Sequence, residues 1–453
     1  MVIGIDGSRA FVTEKTGTER YTWEMLRALA RVGKKNKYRI YIKSSEKRKA
    51  KSEKPQLKTE NYLSKDNSWP KTFQFIEVAW PRLWTQGGLA WRTWTDKLDV
   101  LWVPAHTLPV LGNPNLPMIV TIHGIEYEFL PNAYRWGQNF HLTWSTQWAV
   151  RRAQKIIAVS QKTKTDLIEK LGVDGQKVEV IHEGVDIKKY QKSRQRNGQA
   201  KIKYQIKETL KKYKVKEPYV LFVGTVQPRK NLVRLIEAFA KMELGIRNNE
   251  LGIRQRYELV IVGKMGWNYE EILIAPKKFG VENRVKFLGF VPDEELPGLY
   301  CGASLYVEPS LQEGFGLPVL EAMAGGVPVV AAKAGALPEI VGVTGILVDP
   351  MSIEAIIIGM RLGLGFINIK NQIHSTSSGQ VSNIKYDNQD RDLIKIHQGV
   401  WVPRALKSLS GERLRKELIN RGSKRVRDFG WDTAAKKMVD VFGNLIKDKS
   451  HKY

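Results

Sequence analysis

Apolar residues along this chain follow two alternating rhythms. Short runs rich in β-branched and aromatic residues are separated by stretches whose apolar positions return every three or four residues. In the first half, VIGID (2–6), YRIYI (38–42), DVLWV (99–103), MIVTI (118–122), KIIAV (155–159) and KVEVI (177–181) predict strands. Helices are predicted between several of them, over 18–31, 139–152 and 161–171. A second series follows: YVLFVG (219–224), ELVIVG (258–263), VKFLG (285–289), SLYVEP (304–309) and VPVVA (327–331). Strands alternating with helices build parallel sheets covered on both faces. The expected fold class is α/β, two Rossmann-like doubly wound domains in tandem. The first takes 1–187 and the second 217–429, with a basic linker over 188–216.

Apolar residues from Trp431 to Ile446 recur at helical spacing and predict a last helix over 430–446. Two segments break the alternation. ELGIRNNELGIRQR (243–256) is one unit written almost twice, expected to lengthen a loop or helix end. Residues 365–400 are polar, with Ser and Gly clusters, and predict a disordered insertion.

A length of 453 residues suits two domains rather than one core. The single cysteine, Cys301, excludes an internal disulfide. No metal-spaced cluster occurs, and no metal or cofactor is expected. No apolar run reaches the roughly 18 residues of a membrane helix, and VIGID opens the chain without a signal-peptide pattern. The expectation is a cytoplasmic protein.

Charge adds a possible partner. The formal net charge is +27, which draws polyanions. Residues 187–216 hold twelve Lys or Arg against one acid, Glu208, and KSSEKRKAKSEKPQLK (43–58) is a second cluster. These patches suit an anionic membrane surface at the inner face of the cell membrane, or solvated loops. Trp69, Trp80, Trp84, Trp91, Trp94 and Trp102 suit either a membrane interface or an aromatic core. A basic nucleic-acid-binding protein would explain the charge, but no nucleic-acid module is visible and no specific nucleic acid is expected.

The chemistry concentrates in SLQEGFGLPVLEAMAGGVPVVA (310–331). Glu313 lies in a loop, Pro318 suits the first turn of a helix, and Glu321 lies on that helix. Amides near Gly316 and Leu317 stand at the positive helix end, a diphosphate site. Two Glu eight apart mean little alone; embedded in EGFGLPVLEAMAGGVPVV they are specific. A second element, LFVGTVQPRKNLVRLIEAF (221–239), ends a strand at Gly224 and brings Arg229 and Lys230 to a loop before a helix. Both cations are expected at the surface.

Together these motifs resemble the retaining GT-B glycosyltransferases of the glycogen-synthase and mannosyltransferase-like family, glycosyl transferases group 1. The resemblance implies two domains facing across a cleft, with the last helix returning to the first domain. It implies transfer of a sugar, mannose by family breadth, from a nucleotide-diphosphate donor. The acceptor would be a hydroxyl of a glycan or lipid-linked sugar in cell-envelope polysaccharide synthesis, and no metal would take part. Arg229 and Lys230 would hold the diphosphate, Glu321 the ribose hydroxyls and Glu313 the sugar. Glu313 stands either as a nucleophile or as a positioner in a front-face substitution. Ser310, Gly314, Phe315, Gly316 and Leu317 would complete the donor pocket, with Gly224, Gly263, Lys264 and, from the first loop, Gly17. His123 would lie near the transferred sugar; the Asp that often follows it in the family is here Gly124. His106 is similarly placed. That missing Asp and the long insertion leave a catalytically inactive GT-B scaffold as the alternative.

Overall fold

The computed structural model describes residues 1–12, 14–43, 69–80, 83–130, 136–191, 196–247, 256–367, 369, 385–386, 392–397 and 399–450. It divides into two compact units, 1–184 with 429–453, and 185–428.

The first unit is built on a parallel sheet ordered β3-β2-β1-β4-β5-β6-β7. Its strands are β1 Val2–Asp6, β2 Lys37–Lys43, β3 Phe73–Val78, β4 Val100–Val103, β5 Met118–Ile122, β6 Lys155–Ala158 and β7 Val178–Val180. β4 and β5 are wholly buried, as apolar runs covered on both faces must be. Only β3 escaped the sequence reading. It is an edge strand, and FQFIEV is too polar and too exposed to stand out. The order reverses between β1 and β4, which marks the switch point of a doubly wound sheet.

Helix Gly17–Val32 starts at Thr16, whose N–H donates to Glu19 at 3.2 Å. Glu19 therefore closes a capping box. The last helix, Trp431–Ser450, belongs to this unit and packs along Gly17–Val32. Arg31 bridges to Asp432 at 2.6 Å, Trp431 meets Tyr21, and Phe442 meets the buried Trp102. Trp84 and Trp102 are buried, whereas Trp80, Trp91 and Trp94 are exposed.

The second unit has a sheet ordered β10-β9-β8-β11-β12-β13-β16-β15-β14. The parallel strands are β8 Tyr219–Val223, β9 Glu258–Val262, β10 Val285–Gly289, β11 Leu305–Glu308, β12 Val329–Ala332 and β13 Ile346–Val348. Here the order reverses between β8 and β11.

Three antiparallel strands, β14 Lys385–Tyr386, β15 Leu393–His397 and β16 Val400–Pro403, extend this sheet. β14 and β15 fall inside the segment expected to be a disordered insertion, and β16 begins at its last residue. Leu393, Ile394, Ile396, Val400 and Val402 are buried around the bend at Gly399, which was hidden in the reading by its polar neighbours. The remainder of 365–400, from 370 on, lies largely outside the described residues, as does the basic segment 44–68.

The stretch 188–216, expected as a linker, is mostly helical, in Ile187–Gln191 and Arg196–Lys212. The second helix is amphipathic. Thr209 and Leu210 are buried against Gly298 and Gly302 of helix Leu296–Gly302, while Lys203, Lys207, Lys211 and Lys212 face solvent. The first copy of the duplicated unit ends helix Leu232–Arg247, and most of the second lies outside the described residues.

Candidate functional site

The switch point of the second unit is where a doubly wound sheet binds ligands, outside the carboxyl ends of its strands. Both motifs singled out in the sequence arrive there. β8 ends before Gly224, and a short turn, Pro228–Lys230, presents Arg229 and Lys230. β11 ends at Glu308 and leads through Ser310 and Glu313 to helix Leu317–Ala324. Several bonds tie the two loops together. Leu311 N–H donates to Arg229 O at 2.9 Å, and Asn231 Nδ2 donates to Pro309 O and Pro350 O at 3.0 and 2.7 Å.

These loops enclose a compact charge cluster. Lys230 Nζ lies 2.6 Å from Glu313 Oε1, and Arg229 Nη1 lies 2.9 Å from the same oxygen. Arg229 Nη1 also donates to Gln312 O at 2.5 Å. Glu308 adds a second carboxylate, 3.7 Å from Lys230 Nζ. Its oxygens accept from Tyr306 Oη at 2.8 Å and Ser310 Oγ at 2.5 Å. Lys230 is only 6% exposed, which corrects the expectation of surface cations. Lys230 is buried because carboxylates on both sides neutralise it, and Arg229 is half-buried against Glu313.

The two glutamates respond oppositely to burial. For Glu313 burial acts to raise the pKa, but Arg229, Lys230 and the hydrogen bonds outweigh it and hold the carboxyl at about 2. For Glu308 burial dominates, and the nearby Glu313 adds to it, so its pKa is raised despite Lys230.

Glycines shape the approach of these groups. A Cβ at Gly224 would lie 3.2 Å from Lys230 Cε, so this position leaves room for the lysine stem. A Cβ at Gly263 would lie 2.0 Å from Gly224 O, so Gly263 lets the ends of β8 and β9 close up. Lys264 lies over the Phe290 ring, 5.2 Å from its centroid. Gly316 takes φ +110° as the cap of the motif helix, with buried Leu317 following and buried Phe315 preceding it beside Gly314.

Glu321 is buried on that helix, and its two oxygens accept from Tyr190 Oη and Tyr300 Oη, each at 2.9 Å. Sequence reasoning missed these tyrosines, and also Glu308, because none belongs to a motif. Glu308 carried one signal, an acid ending an otherwise apolar strand.

Gly17 and His123 belong to the first unit. Gly17 begins helix Gly17–Val32, with open space around its Cα. His123 follows β5; its Nδ1 lies 3.1 Å from Glu183 Oε1 and its Nε2 lies 3.2 Å from Pro104 O. A carboxylate from the turn after β7 thus pairs with the imidazole. At Gly124 the space for a side chain is filled by Glu126, whose Oε1 lies 2.7 Å from a built Cβ. His106 Nε2 accepts from the His123 N–H at 3.3 Å. Burial, then His123 and Arg9, depress the His106 pKa to about 3.

Two tandem doubly wound sheets, with paired cations and a glutamate loop at the second switch point, define the GT-B class. Residues 15–189 match the Glycosyltransferase Family 4 model and residues 205–363 match Glycosyl transferases group 1. The chain belongs to the GT-B glycosyltransferases carrying these two domains. O-antigen chain mannosyltransferase B of Escherichia coli is 40% identical over 118 residues, covering 26% of this chain and 29% of that protein. D-inositol 3-phosphate glycosyltransferase of Salinispora tropica is 27% identical over 304 residues, covering 66% of this chain and 52% of that protein. The matches thus span about half of these curated relatives or less. Among solved structures, Anabaena HepE in complex with UDP and glucose superposes with a TM-score of 0.62 at 20% identity, covering 98% of this chain and 99% of that one.

Proposed function

We propose that this glycosyltransferase moves a hexose, mannose foremost, from a nucleoside-diphosphate donor to a glycan or lipid-linked hydroxyl, with retention of anomeric configuration. The observation that carries this reading is the Arg229–Lys230–Glu313 cluster at the start of helix Leu317–Ala324. A buried lysine and a half-buried arginine, both paired with one loop carboxylate, suit an exchange. The diphosphate takes Arg229 and Lys230, and the released Glu313 accepts from the sugar hydroxyls. Fixed cations then stabilise the departing phosphate without a divalent metal. The leaving phosphate takes the acceptor proton. Ribose hydroxyls displace a tyrosine hydroxyl from Glu321. UDP in the Anabaena protein supports a uridine or similar carrier, and the E. coli relative supports mannose and an envelope polysaccharide product.

A peripheral membrane site draws support from the first unit. Trp91 and Trp94 are 63% and 57% exposed on one short helix, Ala90–Thr95, with exposed Trp80 nearby. No helix among the described residues is long and apolar enough to cross a membrane.

The direct experiment measures nucleoside diphosphate release from mannose and glucose donors on guanosine and uridine carriers, with and without a lipid-linked acceptor. Acceptor-dependent release from at least one donor is expected, with the α-linkage kept in the product. No binding and no turnover across the panel would leave the inactive scaffold as the better reading.

A further inference from the structure

The charge cluster holds more acid than the exchange above uses. The geometry points to Glu308 as a positioning residue for Lys230, fixing the ammonium at the end of β11 while Glu313 turns to the donor sugar. This rests on the proposed binding of a diphosphate by Arg229 and Lys230.

The two glutamates are held in different ways. Glu308 ends a central strand with no exposure, and the Tyr306 and Ser310 hydroxyls fix its two oxygens. Glu313 lies in a loop that reaches the motif helix. One carboxylate is therefore anchored on a strand by two hydroxyls, while the other, on a loop, is held by the very cations a diphosphate would claim. Lys230 stands between them, 2.6 Å from the loop acid and 3.7 Å from the anchored one. Its flexible stem crosses the bare face of Gly224, so the ammonium can pivot without moving the backbone.

When Glu313 swings away, Lys230 would lose its nearest counter-charge, and an unpaired buried ammonium is costly. Glu308 supplies that counter-charge from a fixed point. It confines the ammonium to the side of the site where the diphosphate leaves. A fixed negative charge this close should weaken ground-state binding of a dianion. If Glu308 were only a bystander, removing its charge would therefore tighten diphosphate binding and leave turnover alone. A positioning role predicts a loss in turnover instead.

The test uses full-length Glu308→Gln and Glu308→Asp, with steady-state kinetics and titration of UDP and GDP. Glu308→Gln keeps the shape and removes the charge. Its kcat is expected to fall about tenfold or more, while its Kd for the nucleoside diphosphate stays within about threefold of wild type or tightens. Glu308→Asp should recover part of the loss, because the charge returns. Unchanged kcat in Glu308→Gln overturns the role, as does an aspartate variant no better than the glutamine one. Should the amide prevent folding, Tyr306→Phe removes one anchor of Glu308 and should lower kcat about two- to tenfold with the same sparing of Kd; unchanged kcat there also overturns it. A wild-type protein that binds neither diphosphate overturns the reading of the site, and this role with it. A wild type that binds and turns over, beside an equal Glu308→Gln, overturns the role of Glu308 alone.

Discussion

At the scale of single residues, the buried cluster ties function to stability. Lys230 neutralises two glutamates inside the second unit. Lys230→Met should therefore cost about 3–5 kcal/mol, as breaking a buried ion pair does, besides abolishing transfer. Denaturant unfolding measures the first effect, and a variant as stable as wild type would contradict the cluster. Glu313 gives a pH signature. Its folded pKa, about 2, lies below the ordinary carboxyl value of 4.5, so the ionised form stabilises the fold above about pH 4.5. That contribution fades as pH falls toward 2. Melting of Glu313→Gln against wild type should converge across this window. His106 acts the same way higher on the scale. Its pKa is depressed from 6.5 to about 3, so the unfolded chain takes up the proton first. Stability should fall on acidification from about pH 6.5, and His106→Gln should flatten that slope between pH 6.5 and 4.5.

At the scale of elements, the loop before helix Leu317–Ala324 depends on a neighbouring turn. Gly335 takes φ +56°, and a Cβ there would lie 2.4 Å from Glu313 O. Gly335→Ala should push the Glu313 loop aside, costing about 1–3 kcal/mol in strain and lowering kcat more than donor affinity. The five-residue helix Ile187–Gln191 carries Tyr190, which donates to Glu321 just after the boundary between the units. If ribose hydroxyls take that place, Tyr190→Phe removes a competitor. Nucleoside diphosphate affinity should then rise severalfold, by the worth of about one hydrogen bond. Titration showing weaker or equal binding would place the ribose elsewhere.

The elements also show what could be read in advance. Strands buried on both faces, such as β5 and β9, announce themselves as apolar runs. β3 and β15–β16 did not, because edge strands carry polar residues and the hairpin adjoined a polar tract. The site divides likewise. Arg229, Lys230, Glu313 and Glu321 were legible because they sit within contiguous motifs. Tyr190, Tyr300 and Glu183 became visible only when strand order and turns brought separate segments together, and Glu308 was marked only by its place at the end of an apolar strand. The same cause hid the burial of Lys230, since its counter-charges lie about eighty positions downstream.

At the scale of the whole molecule, the chain leaves the first unit after Gly184 and re-enters it at Phe429. The second unit is thus nested inside the first in sequence. Trp431 rests against Gly184 so closely that a Cβ there would lie 2.4 Å from its backbone nitrogen. A fragment of 185–428 holds its own core and should fold alone. Residues 1–184 should not, because Tyr21 and Trp102 lie in the part of the core that the last helix covers. Adding a 429–450 peptide should restore a cooperative melt to that fragment. The nesting also orders events during synthesis. The first unit emerges from the ribosome early but lacks its closing helix until the far end is made. At roughly 5–20 residues per second, that delay is on the order of ten to fifty seconds. In that interval an uncovered helix face stands open in the cell. Nascent chains stalled before residue 429 should therefore be the species that chaperones hold longest.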